Sequence, residues 1–439
     1  MKRIILVLLN LGILWQIALS QNFDKSKLDD YFDALESNNK FMGSVAVSQN
    51  GEIIYSRSLG YSDFENKLKA NNNTRYGIGS ISKTFTTVLV LKGVEEKKID
   101  LNQTIDKYFP TIENSNNITI SDLLYHRSGI HDFTEDIDYL TWYTQPKTEQ
   151  EMVAIIANRG SDFEPDSKSK YSNPNFILLS YILEKSYQKS YGELLEEHIT
   201  IPIGLKNTSF GETVNNPNKK SKSYRFLETW NLAPETDSSI PMGAGGIVST
   251  PTDLIKFSNA LFSGQLLDSV SLNKMMTMKD NFGMGLFQFP FNQTVGYGHS
   301  GGIDGFTSIF SHFSDGNISY ALMSNGTSYN NNDISISVLS AVYDKPYDIP
   351  LFSTIELQSE DLDQYLGIYS SAQLPMKITV TKNNNKLIAQ ATGQSSFPLE
   401  ATEKDKFIFQ LAGIVLEFNP SEKTMMLKQG GGQFLFTRD

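Results

Sequence analysis

A chain of 439 residues with 39% hydrophobic and 20% charged side chains is a globular protein, long enough for one large core and a smaller companion. Its net charge of -11 argues against nucleic acid or an anionic membrane surface as partner, because both demand a basic patch. Cysteine is absent, which excludes disulfides, zinc-thiolate sites and a cysteine nucleophile.

At the N-terminus, Lys2 and Arg3 precede an apolar run from Ile4 to Ile17, followed by the small-residue stretch Ala18-Leu19-Ser20. This reads as a secretory signal peptide over residues 1–20, which places the mature protein in the periplasm or outside the cell. The run is shorter than the roughly 18–20 apolar residues a spanning helix requires, so no stable membrane insertion is expected after cleavage. A helical pattern follows around Leu28 to Leu35. Gly43 to Val47 and Ile53 to Ser56 then flank the turn Gln49-Asn50-Gly51, a hairpin signal.

From Ser80 a strongly apolar helix runs through Phe85, Val88, Leu89, Val90, Leu91 and Val94. Residues from about 118 to 270 read as helices and loops. Strands return at Phe306 to Phe313 and Ile318 to Ser324, joined by Ser314-Asp315-Gly316, with a helix near Ile334 to Tyr343. Strands from both ends with helices between them predict an α/β fold: an antiparallel sheet flanked by helices, with a helical insertion, over residues 21–348. After Pro346 and Pro350, residues 349–439 carry short alternating strands from Lys377 to Thr437. These predict a separate small all-β meander or half-barrel.

Three segments carry chemistry. In Ser80-Ile81-Ser82-Lys83, Gly79 permits a tight turn and Ser80 opens the helix, so its N–H lacks an intrahelical partner. Lys83 lies one turn on, on the same face, where a desolvated amine can take the hydroxyl proton. The same spacing recurs at Ser167–Lys170, Ser186–Lys189 and Ser271–Lys274, but without a buried helix behind it. In Tyr171-Ser172-Asn173-Pro174 a phenol precedes a helix start, with Asn173 in the N-cap position. In His299-Ser300-Gly301-Gly302 two glycines allow an edge strand to approach a substrate and offer N–H groups to an oxyanion.

In this order the three segments resemble the serine β-lactamase and penicillin-binding-protein superfamily. The likeness is to class C β-lactamases, the D-alanyl-D-alanine carboxypeptidase B type and related esterases and D-aminopeptidases. Leu123 to Ile130 and Gly243 to Leu254 look like two further segments of that family, and Tyr365 to Tyr369 with Gly393 to Leu399 resemble its appended lipocalin-like module. The resemblance implies Ser80 as acylated nucleophile, with Lys83 and Tyr171 as general base and acid. It implies Asn173, His299 and Gly301 at the substrate, and the N–H groups of Ser80 and Gly302 as oxyanion hole. It calls for no metal and no other cofactor; the partner is a small-molecule or peptide substrate.

His299 stands where the β-lactamases have lysine, replacing a fixed charge with one that titrates near neutrality. No arginine or lysine occurs between Lys279 and Lys345, although Arg127 or Lys92 can approach from elsewhere. These departures favour a substrate with modest charge requirements: an ester, or a D-amino-acid-containing peptide or amide. A β-lactamase or D-Ala-D-Ala carboxypeptidase is the alternative. A penicillin sensor or a non-catalytic binding protein is the alternative from another class. His126, His131 and Asp132 do not have the spacing of a metal site. Oligomeric state is not legible in the sequence.

Overall fold

The computed structural model describes residues 24–211, 220–227, 229–429 and 432–439; the signal-peptide segment lies outside these. Its first helix, Lys25–Ser37, is capped by Asp24, whose carboxylate accepts from Lys27 N–H. Leu28, Tyr31, Phe32 and Leu35 form one buried stripe on it.

The hairpin Phe41–Gln49 and Glu52–Leu59 turns at Asn50 and Gly51, both at positive φ, as a tight two-residue turn requires. The hairpin joins four late strands in a six-stranded antiparallel sheet. Their order is Phe287–Phe291, Thr294–Ile303, Phe306–Phe313, Ile318–Thr327, Phe41–Gln49, Glu52–Leu59. Residues 41–48 are buried almost without interruption because helices cover both faces of this central strand. Val45, Val47, Tyr320 and Leu322 point to one face and pack with helices Lys25–Ser37 and Asn331–Val342. Ala46, Phe310, Ala321 and Met323 point to the other. That second face carries the larger core, with helices Ser82–Glu95, Asn173–Tyr187 and Pro251–Phe262. Phe85 and Phe257 stack there with ring centroids 3.7 Å apart, tying the first of these helices to the third.

The C-terminal part is a nine-stranded antiparallel sheet around its own core of Leu362, Tyr365, Tyr369, Leu387, Phe407, Leu416, Met425 and Phe436. Its two end strands, Phe397–Pro398 and Glu400–Glu403, are consecutive in the chain, so the sheet curls almost into a closed barrel. It touches the larger part through an ion pair between Lys40 and Glu400, 3.0 Å, and through Phe352 against Tyr329.

The mixed fold and the all-β module match the expectation. The sequence reading missed strand Phe287–Phe291, where Pro290 argues against a strand and is accommodated because this strand is an edge. It also missed three short C-terminal strands and, in the region read as mostly helices and loops, the strands Ser209–Phe210, Tyr224–Leu227, Thr229–Leu232 and Ile247–Ser249. The pairing of Phe287–Phe291 ends at Gly298, so residues 299–303 have a free side even though their strand is otherwise interior. The expected edge strand is thus an edge only over the His299–Ile303 half.

Candidate functional site

Ser80 sits in a turn of 3-10 helix, Gly79–Ile81, that runs into the α-helix Ser82–Glu95. Gly79 takes φ +49, and a methyl there would lie 2.8 Å from the Gly302 nitrogen and oxygen. A methyl on Gly301 would lie 2.0 Å from the Ile78 oxygen and 3.0 Å from the Ser80 nitrogen. These contacts press the free half of the strand against the Ser80 turn, bringing the backbones of Ser80 and Gly302 together.

Lys83 is fully buried, and three oxygens surround its Nζ: Ser80 Oγ at 3.0 Å, Asn173 Oδ1 at 2.8 Å and the Ala244 carbonyl at 2.8 Å. Loss of water favours the neutral amine and pulls its pKa down to about 7, with nearby Asp132 resisting that shift. In the neutral state two N–H groups suffice for Asn173 and Ala244. The lone pair then faces the Ser80 hydroxyl and can accept its proton.

Each acceptor is itself held. Asn173 donates from Nδ2 to Asp132 Oδ2 at 2.9 Å, and its own N–H donates to the same oxygen at 3.1 Å. Asp132 Oδ1 accepts from Thr134 N and Oγ1. The Asn173 amide is thereby oriented with its oxygen toward Lys83. Ala244 lies in a short helix, Met242–Gly245, where a methyl on Gly243 would meet Thr86 Oγ1 at 2.4 Å and Ser180 Oγ at 2.5 Å.

Tyr171 comes from the loop before helix Asn173–Tyr187. Its phenol lies next to Ser80, and burial pushes its pKa up, so it stays protonated at neutral pH. The ring lies 4.9 Å from Lys83 Nζ and stacks on His126, centroids 4.4 Å apart. His126 takes φ +56, and its Nδ1 accepts from Ser172 N–H at 3.1 Å while its carbonyl accepts from Lys170 N–H. Ser128 Oγ donates to Asn175 Oδ1 at 2.6 Å. The segment Leu123 to Ile130 is therefore the mould for the Tyr171 loop.

A cavity of about 220 Å³ opens on Ser80, lined also by Asn173, Gly302, Phe133, Tyr139 and Tyr143. Among the described residues none of its lining lies beyond Asp304, and the described part of the C-terminal module does not contribute to it.

Several expectations need correction. Ser172, not Asn173, occupies the N-cap position, and it makes no side-chain cap bond; the Asn173 amide is committed to Lys83 and Asp132 instead. His299 does not titrate near neutrality. It is buried between Phe287 and Tyr171, and desolvation together with Lys83 lowers its pKa to about 3, so it is neutral. Neither His299 nor Gly301 lines the cavity; Gly302 does. Arg127 is spent on Asp166 and Asp280, and Lys92 lies beside His198. Sequence reasoning missed Asp132 as the clamp on Asn173 and Ala244 as an acceptor, although both lie in segments it singled out.

Gly301→Ala is expected to lower the thermal unfolding temperature by several degrees, as a steric clash of about 1–3 kcal/mol requires. Gly302→Ala, whose methyl would meet only Phe306 O at 4.0 Å, is expected to leave it nearly unchanged. Calorimetry of the two variants checks the contrast.

The chain matches the Beta-lactamase family over residues 28–342. A penicillin-binding protein of Bacillus subtilis strain 168 is 24% identical over 93% of this chain and 97% of its own length. The teichoic acid D-alanine hydrolase of Staphylococcus aureus strain MRSA252 is 32% identical, over 58% of this chain and 59% of that enzyme. Among solved structures, the D-amino acid amidase of Ochrobactrum anthropi SV3 in complex with L-phenylalanine amide superposes with TM-score 0.63. It is 25% identical over 73% of this chain and 99% of that one. The octameric penicillin-binding protein homologue of Pyrococcus abyssi shares the fold across 94% of this chain and all of its own, at TM-score 0.66 and 23% identity. With a family match across most of its length and the Ser80 cluster in place, this chain belongs to the Beta-lactamase family and is a hydrolase of the penicillin-binding-protein type.

Proposed function

We propose that the protein is an exported serine hydrolase that forms an acyl-enzyme on Ser80 and acts on esters, peptides or amides of D-amino acids. The observation that carries this reading is the buried Lys83 amine 3.0 Å from the Ser80 hydroxyl, with a pKa near 7. Lys83 takes the Ser80 proton, and Oγ bonds to the substrate carbonyl carbon. The N–H groups of Ser80 and Gly302 receive the oxyanion. Tyr171, protonated and next to Ser80, passes a proton to the departing oxygen or nitrogen as that bond breaks. Asn173, at the cavity wall, orients the acyl group. The Lys83 ammonium returns its proton to the Tyr171 phenolate, and the restored amine takes a proton from water as the water oxygen bonds to the acyl carbon; the bond to Ser80 Oγ then breaks, Oγ regains that proton and the acid departs. The relatives' names favour D-amino-acid substrates: one acts on teichoic acid D-alanine, another is a D-amino acid amidase. The neutral His299 supports this over β-lactam or D-Ala-D-Ala substrates that depend on a cation at that position. Export rests on the basic and apolar residues 2–20.

Ser80→Ala is expected to lower kcat/KM on a D-alanyl ester at least ~10³-fold and to abolish labelling by a fluorophosphonate seen by intact mass. A persistent penicillin adduct without ester turnover would indicate a sensor, and no adduct at all a binding protein. A D-Ala-D-Ala peptide cleaved far faster than the ester would favour a carboxypeptidase.

The pH profile follows from Lys83. As pH falls through about 7 the amine is protonated and loses the lone pair that faces Ser80, so kcat/KM is expected to drop below that point. Asp132, His126, His299 and Tyr171 are the titratable groups around it, and Asp132 is the one that favours the ammonium. Asp132→Asn is therefore expected to move the acid limb to lower pH. It is also expected to reduce kcat more than it raises KM, because Asn173 loses its anchor.

A further inference from the structure

Among the described residues the cavity beside Ser80 is lined by two charged ones, Arg225 and Asp304, neither used in the acyl transfer above. Arg225 lies on strand Tyr224–Leu227, paired with Thr229–Leu232. Tyr224 and Trp230 are buried against Met42, with Phe226 packed on them, so strand alternation turns Arg225 to the opposite, cavity side. Among the described residues its guanidinium has no hydrogen bond or ion pair, and it is exposed.

Asp304 forms the turn after the free half of strand Thr294–Ile303, at φ +56. Its Oδ1 accepts from Thr236 N at 3.0 Å and Thr236 Oγ1 at 2.6 Å. Oδ2 has no hydrogen-bond partner among the described residues. Lys220, a cation whose charge acts on it, is tied to Glu235. Burial raises the Asp304 pKa, which marks a carboxylate short of a counter-charge.

The two charges share one wall. Gly305 N–H donates to Ser223 Oγ at 3.1 Å, and a methyl on Gly305 would lie 2.6 Å from Tyr224 N. The residues just before Gly305 and just after Tyr224 are therefore neighbours across a packed backbone, yet no ion pair joins Arg225 to Asp304 among the described residues. An unspent cation and an unspent anion on the wall of one cavity match a ligand carrying both signs.

We propose that this cavity selects a dipolar substrate, in which Asp304 takes the ammonium of an unblocked D-aminoacyl group and Arg225 takes an anionic oxygen elsewhere on the same molecule. The inference rests on the function proposed above and narrows it. The anion is a carboxylate, as in a D-aminoacyl hydroxy acid, or a phosphate, as in a D-aminoacyl polyol phosphate; both suit a guanidinium fork.

The test is kcat/KM on five D-alanine esters: D-alanyl glycerol, D-alanyl glycerol phosphate, the N-acetyl form of each, and D-alanyl-D-lactate as the carboxylate arm. The dipolar esters are expected to exceed D-alanyl glycerol by about tenfold at low salt, with the advantage shrinking as salt rises. Arg225→Met is expected to erase that advantage, so that the dipolar esters and D-alanyl glycerol are turned over with similar kcat/KM. Asp304→Asn is expected to erase the preference for the free amine over its acetylated form. The more Arg225-dependent of phosphate and lactate identifies the anion. Equal turnover of all five esters, or an advantage untouched by Arg225→Met, overturns the proposal.

If no ester is hydrolysed the acyl-transfer reading fails, and protection of Ser80 from a fluorophosphonate then decides the inference. The dipolar amide D-alanyl-2-aminoethyl phosphate is expected to protect better than D-alanyl-ethanolamine in the wild type but not in Arg225→Met. Equal protection by both overturns the proposal.

Discussion

A lysine amine sealed from water at the base of a serine is the constraint around which this protein is organised. Burial without partners would cost several kcal/mol, so the fold must either supply acceptors or release the proton. It does both. Three oxygens, two of them from distant points of the chain, converge on Nζ, and the pKa falls to about 7, where either state is accessible. Helix Asn173–Tyr187 delivers Asn173, and the short helix Met242–Gly245 delivers Ala244 only because Gly243 leaves room for close packing.

The surrounding charges follow from the same burial. His126 and His299 are neutral because desolvation and the neighbouring Lys83 both oppose a second positive charge. Tyr171, stacked on His126 and desolvated, keeps its proton. The site thus divides labour by environment: an amine poised near neutrality, a phenol held as donor, and two imidazoles serving as packing. Asp132 is the buried anion that keeps the amine from losing its proton too readily, and it sets the Asn173 amide at the same time.

Much of this was legible in the sequence. The hairpin at Asn50-Gly51, the apolar helix behind Ser80 and the late strands were plain from turn chemistry and periodicity. The ordered Ser80, Lys83, Tyr171 and Asn173 are local motifs, and the structure brings all four together. What escaped was contact across the chain. Nothing near Asp132 reveals that it will meet Asn173, 41 positions on. The titration of His299 was misjudged because a histidine's pKa follows from burial, and burial there depends on Phe287, in a strand that Pro290 disguised. Arg225 and Asp304 belong to segments with no motif at all; only the packing of Gly305 on Tyr224 makes them neighbours.

Lys83 is a neutral base within reach of physiological pH, and its titration can be observed directly. Nuclear magnetic resonance of protein labelled with carbon-13 at the lysine ε position, with Lys83→Gln for assignment, follows that one signal against pH. The account predicts a midpoint near 7, well separated from the surface lysines. A Lys83 signal that titrates with them, at about 10.4, would contradict it.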